Sequence, residues 1–335
     1  MQTPWLWLGF NAGVLVLLAL DLLVFHREAH RVRVREAAAW SVFWVVLAVA
    51  FAGGLYHFRG SDVALQYLTG YLIEKALSVD NIFVFVLVFS YFQVPPQYQH
   101  RVLFWGVLGA LVMRGLMIGA GAYLIARFDW VLYVFGAFLV VTGVRLALRT
   151  ERAIEPEANP VVRLIRRLLP IARAYHGQKF IAHEPTGADG RLRRVATPLL
   201  LVLLLVETTD LVFAVDSIPA VFAITTDPFL VYTSNVFAIL GLRAMYFLLA
   251  HVIHRFHYLK LGLSVILVIV GAKMLAADLY HVPIGLALGA VALVLGVATV
   301  ASLLFPRRAA AHDPAVPDPP GDRRPEPSGT PGASE

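Results

Sequence analysis

Nine apolar runs dominate this sequence, and each is long enough to cross a lipid bilayer. A helix needs about 20 residues to span the hydrocarbon core of roughly 30 Å. The runs cover residues 4–25, 38–57, 62–91, 101–126, 129–148, 197–226, 229–253, 258–277 and 282–305. The sequence therefore predicts an all-α polytopic membrane protein with about nine transmembrane helices.

The composition supports a membrane protein and excludes several kinds of chemistry. Hydrophobic residues make up 59% of the sequence and charged residues 15%, which is typical of polytopic membrane proteins. The sequence contains no cysteine, so disulfides, thiolate metal sites and cysteine nucleophiles are excluded. The net charge of +6 comes from basic residues between apolar runs, where they act as orientation signals. We therefore expect membrane lipids, and no nucleic acid, as partners.

The basic residues are concentrated in alternate connections. Ten Lys and Arg residues lie in 149–196, and four Arg residues follow the first run, whereas residues 1–25 contain none. A cleavable signal peptide would need a basic segment before its apolar core. The positive-inside rule then predicts that the N-terminus is outside and the C-terminus inside, as an odd number of spans requires.

This pattern divides the chain into six parts. They are two N-terminal helices (1–60), a first three-helix unit (61–148), a basic cytoplasmic loop (149–196), a second three-helix unit (197–278), a last helix (279–305) and a tail (306–335). The tail is rich in Pro and Ala, which predicts disorder. Within the loop, the stretch VVRLIRRLL at 161–169 predicts an amphipathic helix on the membrane surface, although a solvated linker helix fits equally well.

Two of the apolar runs contain carboxylates at the same spacing. In YLIEKALSVDNIFVF (71–85), Glu74 and Asp80 are six residues apart; in VETTDLVFAVDSIPAVFAIT (206–225), Asp210 and Asp216 are six apart, and Glu207 precedes them by one turn. A carboxylate at the centre of a membrane helix costs about 2.5–3.5 kcal/mol on insertion scales. A sequence that repeats this pattern in register is expected to use it.

The similarity extends over the two runs that follow each acidic run. Arg114 lies in the run after the first motif and Arg243 in the run after the second, and residues 128–146 align without a gap on 256–274. Runs three to five are thus repeated as runs six to eight, in the opposite orientation. Inverted repeats of this kind are typical of transporters, whose substrate sites lie at the repeat interface near the bilayer midplane.

Helical geometry separates the polar residues of each motif into two groups. One face of each helix combines Glu74, Ser78 and Asn81 in the first motif and Asp210, Ala214 and Ser217 in the second. Asp80 and Asp216 are rotated from these faces by about 120°. We therefore take Asp80 and Asp216 as the repeat-related core. All the acids share one site only if two helices contribute to it or a helix unwinds, and Pro219 predicts a kink.

The predicted ligands are oxygen atoms, which suit hard divalent cations such as Mg²⁺, Ca²⁺ and Mn²⁺. The candidate metal-binding residues are Asp80, Asn81, Asp216, Ser217, Glu74, Asp210 and Glu207. Arg114 and Arg243 are candidates for balancing the buried charge. Asp21 belongs either to the ion path or to an ion pair at the membrane surface. We expect no catalytic residue and no tightly bound cofactor.

Four segments together resemble the TerC family of integral membrane proteins, and most closely its alkali-inducible Alx branch. They are ALDLLVFHR (19–27), YLIEKALSVDNIFVF (71–85), VPPQYQHRVLFWGVLGALVMR (94–114) and VETTDLVFAVDSIPAVFAIT (206–225). The resemblance implies a bacterial inner-membrane protein of the LysE-type transporter superfamily that exports Mn²⁺. It also implies that Asp80, Asn81, Asp216 and Ser217 carry the shared motif, with Glu74, Glu207 and Asp210 at further acidic positions.

The leading hypothesis is a secondary exporter that moves Mn²⁺ out of the cytoplasm by alternating access. The sequence has no GxxxxGK[ST] motif for nucleotide binding, and proton coupling is a further hypothesis. The alternative is a membrane scaffold that delivers metal to exported or membrane proteins. A third hypothesis, an intramembrane hydrolase with paired aspartates, does not explain the repeated third helix. The sequence leaves open whether the chain forms a homo-oligomer or binds other membrane proteins.

Overall fold

The computed structural model describes residues 4–20, 34–148, 162–164, 167, 170–172, 174–185, 192–250, 258–278 and 282–305. This part of the chain forms ten helices and two short strands. In chain order they are α1 (Pro4–Leu20), α2 (Val34–Arg59), α3 (Ser61–Tyr91), α4 (Pro96–Arg127), α5 (Trp130–Leu148), β1 (Ile181–Pro185), β2 (Leu192–Ala196), α6 (Pro198–Phe222), α7 (Pro228–Leu240), α8 (Leu242–Leu249), α9 (Leu259–Leu275) and α10 (Ile284–Leu304).

Each predicted apolar run contains a helix in its described part, and the seventh run forms two helices. Within the described residues, six spans are long and apolar enough to cross a membrane: α2, α4, α5, α6, α7 together with α8, and α10. The first helix is apolar but shorter. Helix α3 has 31 residues but contains four charged side chains, and α9 has 17 residues. The chain is therefore a multi-pass membrane protein.

The centre of the bundle is formed by α3, α6 and α7. Nearly every residue of α7 is buried, including Thr233, Ser234 and Asn235. By contrast, α10 has only three buried residues and exposes large side chains such as Leu293 and Val297. Apolar residues at the surface of a membrane protein face lipid, whereas polar residues face the interior. The buried polar groups of α7 therefore mark the interior of the bundle.

Helices α5 and α9 approach each other closely through glycines. A Cβ added at Gly136 would lie 3.1 Å from the Gly271 carbonyl oxygen, and one at Gly143 would lie 2.8 Å from the Ser264 carbonyl oxygen. These contacts pair the start of one helix with the end of the other, so the helices are antiparallel. A shift of 128 residues, taken from the sequence alignment, converts the first contact into the second (136 + 128 = 264; 143 + 128 = 271).

The two acidic helices are continuous, which corrects the idea that either motif unwinds. Helix α3 runs without interruption past Asp80 and Asn81, and α6 continues through Pro219 to Phe222. Pro219 is tolerated because it lies in the last turn, where only one backbone hydrogen bond is lost. The amide of Ala223 still donates to the Pro219 carbonyl at 3.0 Å. Neither motif contains an unwound segment.

The helix interruption lies instead in the seventh run, at Gly241 between α7 and α8. A Cβ at Gly241 would lie 2.6 Å from Lys75 Nζ and 3.3 Å from Trp44 Cβ. Lys75 Nζ is also 3.4 Å from the carbonyl oxygen of Ala238 in the last turn of α7. The interruption is thus filled by a lysine side chain from α3, and glycine provides the space for it.

The long basic loop contains a β-hairpin that the sequence analysis did not predict. Strands β1 and β2 pair antiparallel, with Ile181 opposite Ala196. The segment before the hairpin contacts the α3–α4 connection, where the Tyr175 hydroxyl donates to the Phe92 carbonyl at 2.7 Å. Burial raises the pKa of Tyr175, which favours the protonated donor. The guanidinium of Arg101 lies 5.3 Å from the ring centre of Phe180.

Two predictions for peripheral segments fall mainly outside the described residues. Of the predicted amphipathic helix at 161–169, only residues 162–164 and 167 are described, and they are helical. The tail at 306–335 and Asp21 lie outside the described residues. The proposed domain boundaries remain predictions.

Candidate functional site

Three helices bring a buried arginine and two buried carboxylates together. Arg114 of α4 contacts Asp210 of α6 through two hydrogen bonds, Nε to Oδ2 at 3.1 Å and Nη2 to Oδ1 at 3.0 Å. Its Nη1 also donates to Oε1 of Glu74 on α3. The exposed fractions of Glu74, Arg114 and Asp210 are 1%, 2% and 3%. Charges this deeply buried require partners. The two parallel hydrogen bonds to Asp210 match the planar geometry of the guanidinium, which makes this pair strong and specific.

Three neutral polar side chains complete this site. Asn81 Nδ2 donates to Asp210 Oδ1 at 3.0 Å, and Ser217 Oγ donates to Glu74 Oε1 at 3.4 Å. Asn235 of α7 accepts from Arg114 Nη1 at 3.3 Å. We call this group the Arg114 cluster; its members are Glu74, Asn81, Arg114, Asp210, Ser217 and Asn235.

The cluster repeats one contact in both halves of the sequence. Adding 136 residues converts Glu74 into Asp210 and Asn81 into Ser217 (74 + 136 = 210; 81 + 136 = 217). The bond from Asn81 to Asp210 and the bond from Ser217 to Glu74 are therefore equivalent. Each helix supplies one carboxylate to the site and one polar group that bonds to the other helix's carboxylate.

Several buried atoms of the cluster have no partner among the described residues. They are Glu74 Oε2, Asn81 Oδ1 and Asn235 Nδ2. Buried polar atoms in proteins are normally hydrogen-bonded, and an exception needs an explanation. The two oxygen atoms retain lone pairs that can bind a cation. The cluster can therefore supply oxygen ligands to a cation through atoms that do not bond to Arg114.

The family model for the integral membrane protein TerC family matches residues 59–310. The chain belongs to the TerC family. The matched region contains every member of the Arg114 cluster, and the resemblance found in the sequence motifs is confirmed.

Individual relatives match nearly the whole chain. The "Uncharacterized membrane protein STKORF319" of Myxococcus xanthus is 52% identical over 315 residues, covering 94% of this chain and 97% of the relative. The "Putative membrane-bound redox modulator Alx" of Salmonella typhi is 51% identical over 307 residues, covering 89% and 92%. The Escherichia coli K12 protein with the same name is 52% identical over 298 residues, covering 86% and 91%. No solved structure matches.

The structure gives the TerC motif acids two different environments. Asp80 and Asp216 are only partly buried and lie on another face of their helices, as the rotation of about 120° predicts. Asp80 is within electrostatic range of Lys260, near the start of α9. The cluster is thus built on the repeat-related pair Glu74 and Asp210, and not on the pair taken as the core from sequence.

Glu207 occupies a third position, beside α4. Its carboxylate lies where a Cβ on Gly109 would be, and its Oε2 is buried without a partner among the described residues. It is one helical turn from Asp210 but outside the cluster. Across the described residues, no three acidic or histidine side chains are grouped as a metal site would require.

The two arginines that the sequence comparison of the two halves aligns, Arg114 and Arg243, have different surroundings. Arg243 is buried on α8, and its Nη1 lies 3.0 Å from His100 Nε2. The Gly241 interruption just before Arg243 has no counterpart in α4, which is continuous through Arg114. Arg114 alone is a member of the cluster. The interruption of the seventh run distinguishes the two halves at this position.

The sequence did not predict Asn235 as a site residue, nor the contact of Lys75 with α7. The stretch YTSNVF in an apolar run was the available signal for Asn235, but neutral polar groups are a weaker indication than charges. Lys75 follows Glu74 directly, and its amine lies at the C-terminal end of α7, where the helix dipole favours a cation. Helix α7 therefore contributes Asn235 to the cluster and ends against Lys75.

Proposed function

We propose that this TerC family protein is a secondary exporter that moves a hard divalent cation, Mn²⁺, out of the cytoplasm by alternating access. The observation that carries the proposal is the meeting of Glu74 and Asp210, from two repeat-related helices, at one buried arginine. A structural ion pair would not need two copies of the same motif in register. A site shared by two repeats is the arrangement expected of a transporter.

The proposal includes nine transmembrane helices and two inverted three-helix repeats. Two pairs of equivalent contacts support the repeat: the cluster bonds between α3 and α6, and the glycine contacts between α5 and α9. In both pairs, exchanging the repeats reproduces the contact, as twofold symmetry requires. The distribution of basic residues supports a bacterial inner-membrane orientation with the N-terminus outside and the C-terminus inside.

Oxygen chemistry supports a hard cation as the cargo. Glu74, Asn81, Asp210 and Ser217 supply carboxylate, amide and hydroxyl oxygens, the ligands that Mn²⁺ and similar ions take. In the described state Arg114 supplies the positive charge between the two carboxylates. Arrival of a divalent cation would make this charge redundant. We therefore propose that Arg114 and the cation alternate as partners of Glu74 and Asp210, which keeps the buried carboxylates compensated in the empty carrier.

The remaining motif acids are proposed as stations on the ion path. Asp80 and Asp216 are on the acidic helices but face away from the cluster, and Glu207 is one turn from Asp210. A cation passing between partly buried acids and a buried cluster loses its water in steps. Proton exchange at the same carboxylates would couple export to the proton gradient. No residue is assigned a catalytic role in this proposal.

The Salmonella and Escherichia relatives carry a name that refers to redox modulation, a role that belongs to those proteins. The present sequence has no cysteine, so thiol–disulfide exchange is not available to it. Its buried chemistry consists of carboxylates, amides, a hydroxyl and an arginine, which suits cation exchange.

Flux measurements in liposomes test this function. The purified protein should carry Mn²⁺ across the bilayer, and Glu74→Gln or Asp210→Asn should lower the rate by at least about tenfold, since each removes a charged ligand. Asp129→Asn, an exposed carboxylate outside the cluster, is the control and should leave the rate unchanged. A Mn²⁺ flux that is the same with and without an imposed pH gradient would exclude proton coupling. Metal binding without flux would favour the metal-delivery scaffold instead.

A further inference from the structure

A cleft with a polar mouth and an apolar interior lies at one end of the bundle. The mouth is a cavity of about 480 Å³ where α3 and α10 begin and where α6 and α9 end; it is lined in part by Asp62, Gln66, Lys273 and Pro283. An adjoining cavity of about 330 Å³ continues between α9 and α10. Both cavities include Ile224, Lys273 and Val282, so they form one cleft, which we call the α9–α10 cleft.

The mouth presents one cation, one anion and one amide. Lys273, in the last turn of α9, is partly buried, Asp62 is exposed, and Gln66 lies one turn further along α3. Among the described residues, neither Lys273 nor Asp62 forms a hydrogen bond or an ion pair with another side chain. Opposite charges therefore face the same space without neutralising each other directly.

The inner part of the cleft is almost entirely apolar. Apart from Lys273, its walls include Ile266, Ile269 and Val270 of α9 and Ala287 and Ala290 of α10. Small residues of α10 widen the space, and branched residues of α9 form the opposite wall. This part can accept a hydrocarbon chain but offers no polar group to orient a water-soluble molecule.

We propose that the α9–α10 cleft binds a zwitterionic phospholipid of the phosphatidylethanolamine type. The phosphate would pair with Lys273, the primary ammonium with Asp62 and Gln66, and an acyl chain would lie between α9 and α10. An anionic lipid without an ammonium group would bind more weakly, because its negative charge would lie near Asp62 and no ammonium would pair with that carboxylate. Lysine near a helix end commonly places its amine at headgroup level.

The equivalent position in the other half of the chain provides a matched comparison. Arg145 of α5 corresponds to Lys273 (145 + 128 = 273). It also lines a cavity, of about 500 Å³, with Val140, Val141, Val144 and Leu148. That cavity contains a cation and apolar groups but no acid. We therefore expect the α5 cavity to show no preference for a zwitterionic headgroup.

Native mass spectrometry of the full-length protein in detergent tests the proposal. The probes are phosphatidylethanolamine and phosphatidylglycerol with identical acyl chains, offered as an equimolar mixture. The wild type should retain the ethanolamine lipid at least about threefold more than the glycerol lipid, a ratio expected of a partly exposed charge pair. Lys273→Gln should lower retention of both lipids, and Asp62→Asn should abolish the preference between them.

Two further variants separate a built site from general lipid coating. Ala287→Trp fills the apolar part of the cleft and should lower retention of both lipids, whereas Arg145→Gln should leave the preference unchanged. Equal retention of the two lipids by the wild type would overturn the proposal. So would equal effects of Lys273→Gln and Arg145→Gln, which would indicate nonspecific lipid association. Lipid retention does not depend on metal transport. These measurements therefore test the lipid site independently of the proposed export function.

Discussion

At the scale of single residues, the Arg114 cluster links stability to the proposed function. Two carboxylates and one guanidinium are withdrawn from water together, so each depends on the others. Removing one partner of a buried ion pair costs about 3–5 kcal/mol, whereas replacing the whole set by neutral groups can cost little. The cluster should therefore behave as a unit in unfolding experiments.

Arg114→Gln should destabilise the protein by about 3–5 kcal/mol, because it leaves Glu74 and Asp210 facing each other without a cation. The triple variant Arg114→Gln, Glu74→Gln and Asp210→Asn should recover much of that loss. Denaturant unfolding in detergent micelles, followed by tryptophan fluorescence, measures both effects. A single variant as stable as the wild type would show that the arginine is not holding the two acids.

Gly109 is expected to affect stability, because the Glu207 carboxylate occupies the space that a larger side chain would fill. Gly109→Ala would place a methyl group where that carboxylate lies, so the flexible end of Glu207 would have to move and the unfolding midpoint should fall below that of the control. Gly119→Ala is the control on the same helix, since no atom lies within 4 Å of its added Cβ. Thermal unfolding of the two variants compares them directly, and equal midpoints would contradict the placement of Glu207.

The sequence predicted which residues share a face of α3 and of α6, but not which of these faces meets Arg114. Glu74, Asn81 and Ser217 lie on the predicted faces, and the rotation of Asp80 away from Glu74 is confirmed. The role of Asp80 and Asp216 as the core of the ion site stays a prediction. The Arg114 cluster contains Glu74 and Asp210 instead, because periodicity says which residues share a face but not which face meets α4. Asn235 was missed because an amide in an apolar run costs less than a charge and is therefore a weaker signal.

At the scale of helices, the interruption at Gly241 is the feature that sequence periodicity did not reveal. The seventh run reads as one apolar segment, and Gly241 alone does not indicate a break. The break depends on Lys75, which is 166 positions earlier in the chain (241 − 75 = 166) and reaches the end of α7 only after folding. The β-hairpin at 181–196 was missed because its short strands are bounded by polar, basic loop sequence.

Gly241→Ala should destabilise the protein by about 1–3 kcal/mol through a clash with the Lys75 amine. The double variant with Lys75→Met should lose less than the sum of the two single variants, because the methionine side chain is flexible and ends in an apolar methyl group. A double-mutant cycle of unfolding free energies measures this coupling. Strict additivity would mean that Lys75 does not fill the interruption.

At the scale of the whole molecule, the arrangement of charged connections predicts which end of the bundle faces the cytoplasm. The α2–α3 and α6–α7 connections lie at one end and are joined by the ion pair of Arg59 and Asp227, at 3.3 Å. The basic loop and its hairpin lie against the α3–α4 connection at the other end. The positive-inside rule assigns the second end to the cytoplasm.

Cysteine labelling tests this orientation without background, because the sequence has no native cysteine. Ser61→Cys and Ala174→Cys both replace exposed residues at the two ends. A membrane-impermeant maleimide should label Ser61→Cys in intact cells and Ala174→Cys only after permeabilisation. The reverse pattern would invert the direction of the proposed export.

In the proposed transport cycle, the cation replaces Arg114 between Glu74 and Asp210. Anomalous diffraction from crystals grown with Mn²⁺ would locate the cation. One anomalous peak is expected between α3 and α6, next to the Glu74 and Asp210 carboxylates, with the Arg114 guanidinium withdrawn from at least one of them. A peak elsewhere, with Arg114 still bonded to both carboxylates, would contradict it.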